Sequence, residues 1–155
     1  MSVANQTSLE KITPDSAVYA LESAICNLPQ VVFPLVHHFS KGLYAREMTI
    51  PAGGVLVGAV HKTEHLVTIS AGTIMVMTAE GVKTLSAPCT FKSSPGIKRA
   101  GYALTETVFT TYHVTNETDL DKLVEELCTS TNDELVGGKN NLQLIANKKM
   151  ELKCP

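Results

Sequence analysis

Between Val31 and Thr115 the chain is cut into short runs of β-favouring residues, each closed by turn residues. The runs are Leu35–Phe39, Leu43–Ile50, Val55–His61, His65–Ser70, Thr73–Thr78, Val82–Leu85, Cys89–Ser93, Ile97–Ala103 and Glu106–Val114. Ser40-Lys41-Gly42, Pro51-Ala52-Gly53-Gly54, Ala71-Gly72, Ala79-Glu80-Gly81 and Ser94-Pro95-Gly96 separate them. Gly, Pro, Ser and Asp reverse a chain because their backbones or side chains favour turn geometry. Many short strands at regular spacing specify a sandwich or a barrel. The intervals are too short for the crossover helices that a parallel sheet requires.

A helix is expected on each side of this β region. Before it, Thr13-Pro14-Asp15-Ser16 supplies a cap, a first-turn proline and a negative charge at the positive end of the helix dipole. Val18, Leu21, Ala24, Ile25 and Leu28 then recur at helical spacing until Pro29. After it, Thr118 and Asp121 approximate a capping box ahead of Leu120, Leu123, Val124 and Leu127, an apolar stripe opposite an acidic face. The expected organisation is an N-terminal arm over 1–12, a domain over 13–128, and a C-terminal arm over 129–155. Asn141–Ile145 in that last arm could add a short strand, lying along its own domain or a neighbouring subunit.

With 155 residues, 44% apolar and 18% charged, the chain suits one globular domain with its own core. Its formal net charge of −2 gives no basic face for nucleic acid or anionic membrane. No apolar run is long enough to span a bilayer, and Met1–Lys11 lacks a signal-peptide pattern, so a cytoplasmic location is expected. Cys26, Cys89, Cys128 and Cys154 form no C-x-x-C pair. The first three are expected as small buried hydrophobes.

The segment with most chemical content is Val55–Ser70. Strand side chains alternate between faces, so Val55, Val57, Ala59 and His61 should share one face, as should His65, Val67 and Ile69. His61 and His65 would then flank a short connection at one end of the β structure. Two neutral imidazoles so placed can ligate a divalent transition metal. His113, on the face of Phe109 and Thr111, is the candidate third ligand. Glu64 and Glu106, with Glu47, are candidates to enter the same pocket, while Arg46 and Arg99 could hold an anionic ligand there. The bland alternative is a polar pocket without metal. His37 and His38, adjacent in a strand, should split into one packed and one exposed residue.

These residues resemble the cupin superfamily. Its first motif runs glycine, H-x-H, glutamate, glycine; here Ala59 and His61 stand at the two histidine positions, His65 at the glutamate, and Gly72 at the distal glycine. Its second motif, P-x-G-x-x-H, is similar to Pro95-Gly96 followed by Arg99. Gly42–Glu47, His61–His65, Ala87–Phe91 and Pro95–Tyr102 more closely resemble small cupin-like proteins of tailed bacteriophages. The resemblance implies a mainly β, cupin-like jelly-roll barrel with short flanking helices. It further implies a phage protein made in the host bacterial cytoplasm, with the virion as another location.

The resulting expectation is a non-catalytic phage accessory protein that binds a metal (Zn, Fe, Ni or Mn) or a small ligand in its barrel. Alternatives are a metal-dependent enzyme using Glu64 or Glu106 as acid/base, and a structural virion component. Expected partners are a second copy of the chain as a homodimer, a small anionic ligand, or other phage proteins.

Overall fold

A computed structural model describes residues 14–78, 80–129 and, as a paired strand, 142–145. The expected N-terminal arm, the Thr13 cap, Cys154 and most of the C-terminal arm lie outside the described residues.

The elements in chain order are α1 (Pro14–Cys26), β1 (Leu35–Ser40), β2 (Leu43–Ile50), β3 (Gly54–Val57), β4 (His65–Ala71), β5 (Thr73–Thr78), β6 (Gly81–Ser86), β7 (Cys89–Ser93), β8 (Ala100–Ala103), β9 (Thr107–Val114), α2 (Leu120–Leu127) and β10 (Leu142–Ile145). The strands form two antiparallel five-stranded sheets, ordered β1-β2-β9-β4-β7 and β10-β3-β8-β5-β6. β2 pairs β9, β3 pairs β8, β4 pairs β7 and β5 pairs β6. That nesting is one long antiparallel ribbon, and the β4–β9 and β5–β8 pairings roll it up. The result is the eight-stranded jelly roll, with β1 and β10 added at its edges. Among the described residues no strand pairing joins the two sheets, so they face each other as a sandwich rather than a closed barrel.

Phe33, Met48, Ile50, Ile69, Ile74, Val76 and Ala103 fill one end of the space between the sheets. The turn after β4 is built tightly there: Gly72 has φ +84°, and a Cβ would stand 2.0 Å from the Glu106 carbonyl oxygen, so only glycine fits. α1 covers the outer face of the second sheet, packing Val18 and Ile25 on Val57 and Ala100, with Val55 and Met77 beside them. Fully burying two such side chains contributes roughly 1.5–3 kcal/mol each. A buried ion pair, Lys98 Nζ to Glu22 Oε1 at 2.7 Å, fastens the same helix to the β7–β8 connection.

Three local expectations are corrected. α2 is capped by Asp119, not Thr118: the Asp119 carboxylate accepts from the Asp121 and Lys122 amides. A carboxylate one residue closer to the apolar stripe outcompetes the hydroxyl, and Glu117 engages the Thr118 and Asp119 amides instead. Cys26 is exposed at the end of α1, off the face that Val18 and Ile25 bury, while Cys89 and Cys128 are partly buried. The strand expected over Val55–His61 ends at Val57.

Candidate metal centre

The third correction decides how His61 is placed. In β3 it is Leu56 that faces the interior, while Val55 and Val57 pack outward on α1. Residues 58–60 then leave strand geometry, with the Gly58 amide donating to the Arg99 carbonyl at 2.9 Å. This irregular step reverses the parity, and Ala59 and His61 turn into the space between the sheets. His61 is pinned there through its backbone. It bridges Cys128, the Lys62 amide donates to the Leu127 carbonyl at 2.8 Å, and the Gly96 amide donates to the His61 carbonyl at 2.9 Å.

His65 opens β4 and His113 comes near the end of β9, strands that pair with each other. Their alternation puts His65, Val67 and Ile69 inward from one strand and His113, Thr111 and Phe109 from the other. The three imidazoles form a triangle, with ring centroids 4.3 Å apart for His61–His65, 4.9 Å for His61–His113 and 4.7 Å for His65–His113. One ring nitrogen from each lies within 4.8 Å of the other two. His65 and His113 are buried, at 7% and 2% exposure. Among the described residues His113 Nδ1 has no hydrogen-bond partner, and it has no access to solvent.

All three are poor bases in this setting. Burial, then the charges of His65, His113, Arg46 and Arg99, lowers the His61 pKa to about 3. Burial, then His65 and Arg46, lowers that of His113 to about 4. Burial also lowers His65, against a raising contribution from the Thr63 carbonyl. The rings are therefore neutral at physiological pH, the form in which imidazole ligates metal.

The trio lies at one end of a cavity of about 440 Å³ between the sheets. Arg46 and Arg99 both line it. Arg99 donates to Ser93 Oγ and lies 5.8 Å from the centre of the Phe91 ring. α2 borders the cavity through Leu123 and Leu127, which bury against Tyr44.

Glu64 and Glu106 are not brought to the site. Glu64 sits in the exposed turn before β4 and pairs with Lys92 at 3.1 Å. Glu106 is exposed beside the Gly72 turn. Neither borders the cavity, because each falls in a connection whose chain faces solvent. Glu47 points outward too and meets His38 at 3.5 Å. His37 lines the cavity, its Nδ1 2.8 Å from the Tyr44 hydroxyl, while His38 is exposed. Tyr44, Cys128, Ser93 and Asp121 also line the cavity and were not anticipated. Only Tyr44 carried a usable signal, sharing the inward parity of Arg46 and Met48.

No protein-family model matches the chain, and no curated protein does. Among solved structures, a cupin domain from Bordetella pertussis aligns at TM-score 0.44 and 18% identity, over 57% of this chain and 99% of its own. A cupin-2 domain protein from Shewanella frigidimarina aligns at TM-score 0.45 and 9% identity, over 62% of this chain and 92% of its own. Oxalate decarboxylase from Lactobacillus farciminis, in a formate complex, aligns at TM-score 0.42 and 17% identity, over 59% of this chain and 36% of its own.

Proposed function

We propose that this is a metal-binding, cupin-like protein in which His61, His65 and His113 hold one divalent transition metal (Zn, Fe, Ni or Mn). The observation that carries the reading is three ring nitrogens, from three separate stretches of chain, within 4.8 Å of one another. Tetrahedral bonds of about 2.1 Å put ligand nitrogens roughly 3.4 Å apart, so small side-chain rotations would close the trio on an ion. The donor set fits. The rings are neutral, and a buried nitrogen without a partner, His113 Nδ1, marks a place where a polar group is owed an interaction. Three protein ligands would leave coordination positions open to a small molecule.

The role supported best is binding rather than acid–base catalysis. Glu64 and Glu106, the carboxylates expected to serve as acid or base, face solvent and do not border the cavity. The finer reading, an accessory protein of a tailed phage working in the host cytoplasm, rests on the resemblance of residues 37–127. Mass spectrometry of purified particles separates it from a virion component. No helix among the described residues is long and apolar enough to cross a membrane.

The test of the metal reading is elemental analysis of the purified protein, with cobalt(II) titration followed by visible absorption. One equivalent per chain, lost in His61→Ala and in His113→Ala while circular dichroism is preserved, is the expected result. No binding at stoichiometric cobalt or zinc would overturn it.

A further inference from the structure

The paired strands of the first sheet meet the cavity in successive rows. The row at the histidine end contains Tyr44 and His113. The next is mixed, with His37, Arg46 and Thr111 followed by Val67 and Phe91. The third runs Leu35, Met48, Phe109 and Ile69 and is wholly apolar. Phe109 and His113 lie on the same strand, about 13 Å apart at a strand rise of ~3.3 Å per residue. Polarity thus falls along the strands from the histidine end to the far end.

The second sheet closes the apolar end. Leu56 and Ile74 line it and belong to the same apolar cluster as Met48 and Ile69. They lie close over Gly101 of β8: a Cβ there would stand 3.0 Å from Ile74 Cδ1 and 3.1 Å from Leu56 Cδ2. A side chain at that position would push both towards the first sheet, so the glycine helps keep the space open. Water has little to hold it at this end. An ordered water needs roughly two to four polar partners. The side chains of the third row offer none, and the strands there are paired with one another. Space walled in this way is filled best by an apolar group. Ile97 and Leu120 line the cavity and are exposed, so it reaches solvent beside the β7–β8 connection and α2.

We propose that the cavity binds a small molecule with one metal-binding donor atom and a compact apolar body. The donor sits at the histidine trio, and the body lies between Val67, Phe91, Met48 and Phe109 of the first sheet and Leu56 and Ile74 of the second. This deepens the metal reading and rests on it for the donor end. The volume of about 440 Å³ falls in the range of ~300–1,000 Å³ that encloses a small-molecule ligand. A body bearing hydroxyl groups is rejected, because those groups would lose water and find no partner in the third row.

The experiment holds the donor constant and varies the body. Full-length protein loaded with cobalt is titrated calorimetrically with 4-phenylimidazole, imidazole and 4-(hydroxymethyl)imidazole. The cobalt spectrum before any azole is added reports the metal site independently. 4-Phenylimidazole should bind at least tenfold more tightly than either of the others, about 1.4 kcal/mol or more, and should shift the cobalt absorption. Its preference over imidazole should fall at least fivefold in Leu56→Phe, which fills the apolar end. Leu35→Phe, at a partly buried position on an edge strand, serves the same purpose if the first variant does not fold. Equal affinity for the three azoles, or no binding by any of them to a protein that holds cobalt, would overturn the ligand class and leave the metal site standing. A preference that survives in the folded variants would overturn the placement of the body. In a protein that takes up no cobalt the metal reading fails; tighter binding of 4-phenylimidazole that Leu56→Phe weakens would then still support the apolar class, and equal binding would overturn it as well.

Discussion

The imidazole of His113 lies 4.7 Å from that of His65, across the β4–β9 pairing, and its buried Nδ1 has no hydrogen-bond partner among the described residues. An unsatisfied buried polar atom costs about 1–3 kcal/mol. In metal-free protein His113→Phe should therefore be neutral or stabilising by about 1 kcal/mol, while abolishing any stabilisation by added zinc. Chemical denaturation with and without zinc measures both. Strong destabilisation of the metal-free protein would mean that the histidine is structural.

Acid should weaken both the fold and the site. His61 and His113 titrate at about 3 and about 4 in the folded chain, principally because burial disfavours the charged ring. The unfolded chain takes up these protons near the ordinary value of about 6.5. Stability from these groups is thus complete above that value. It falls as the pH drops through the window towards 4 and then 3, because the unfolded state binds more protons throughout. Bound metal should be released on the same descent. Thermal melts from pH 7.5 to 4 test this, and a metal-free melting temperature flat across that range counts against buried neutral rings.

Leu123 and Leu127, at 2% and 5% exposure, pack α2 on Tyr44 beside the cavity. Truncating either to Ala should cost about 2–5 kcal/mol. Because the Lys62 amide donates to the Leu127 carbonyl, the change should also lower metal affinity by loosening His61. A loss under about 0.5 kcal/mol, the scale of surface substitutions, would show α2 undocked in solution.

Glu22→Gln should destabilise the protein by about 3 kcal/mol, because it strands the buried ammonium of Lys98, whose side chain is only 6% exposed. Lys98→Met, which removes the charge and keeps the length, should cost less. The reverse order in urea denaturation would contradict the assignment.

The expected homodimer is tested by light scattering. The outer face of the first sheet exposes Val36, Leu66 and Val114, and no helix lies over it among the described residues, unlike the face beneath α1. β10 pairs with β3 of its own chain and covers that edge in cis. A dimer formed through that face should persist in a chain ending at Asn132, at a cost in stability, and a monomeric mass for the full chain at micromolar concentration would reject the dimer.

The sequence by itself determined the elements. Strand identity from β1 to β9 follows from runs of β-branched residues between Gly- and Pro-bearing turns, information carried within a few residues. The inward parity of Arg46, His65 and His113 followed from the same local alternation, since β2, β4 and β9 are regular where those residues sit. Parity failed for β3, where the strand stops at Val57 and the step over 58–60 turns His61 inward. Nothing local signals that reversal: it depends on the Gly58 bond to Arg99 and the bridge from His61 to Cys128, both contacts between distant parts of the chain. Tertiary structure alone decided that His113 joins the histidine pair, that Glu64 and Glu106 do not, and that Cys128 borders the cavity. Those outcomes depend on which strands become neighbours when the ribbon rolls, a long-range choice that residue spacing does not encode.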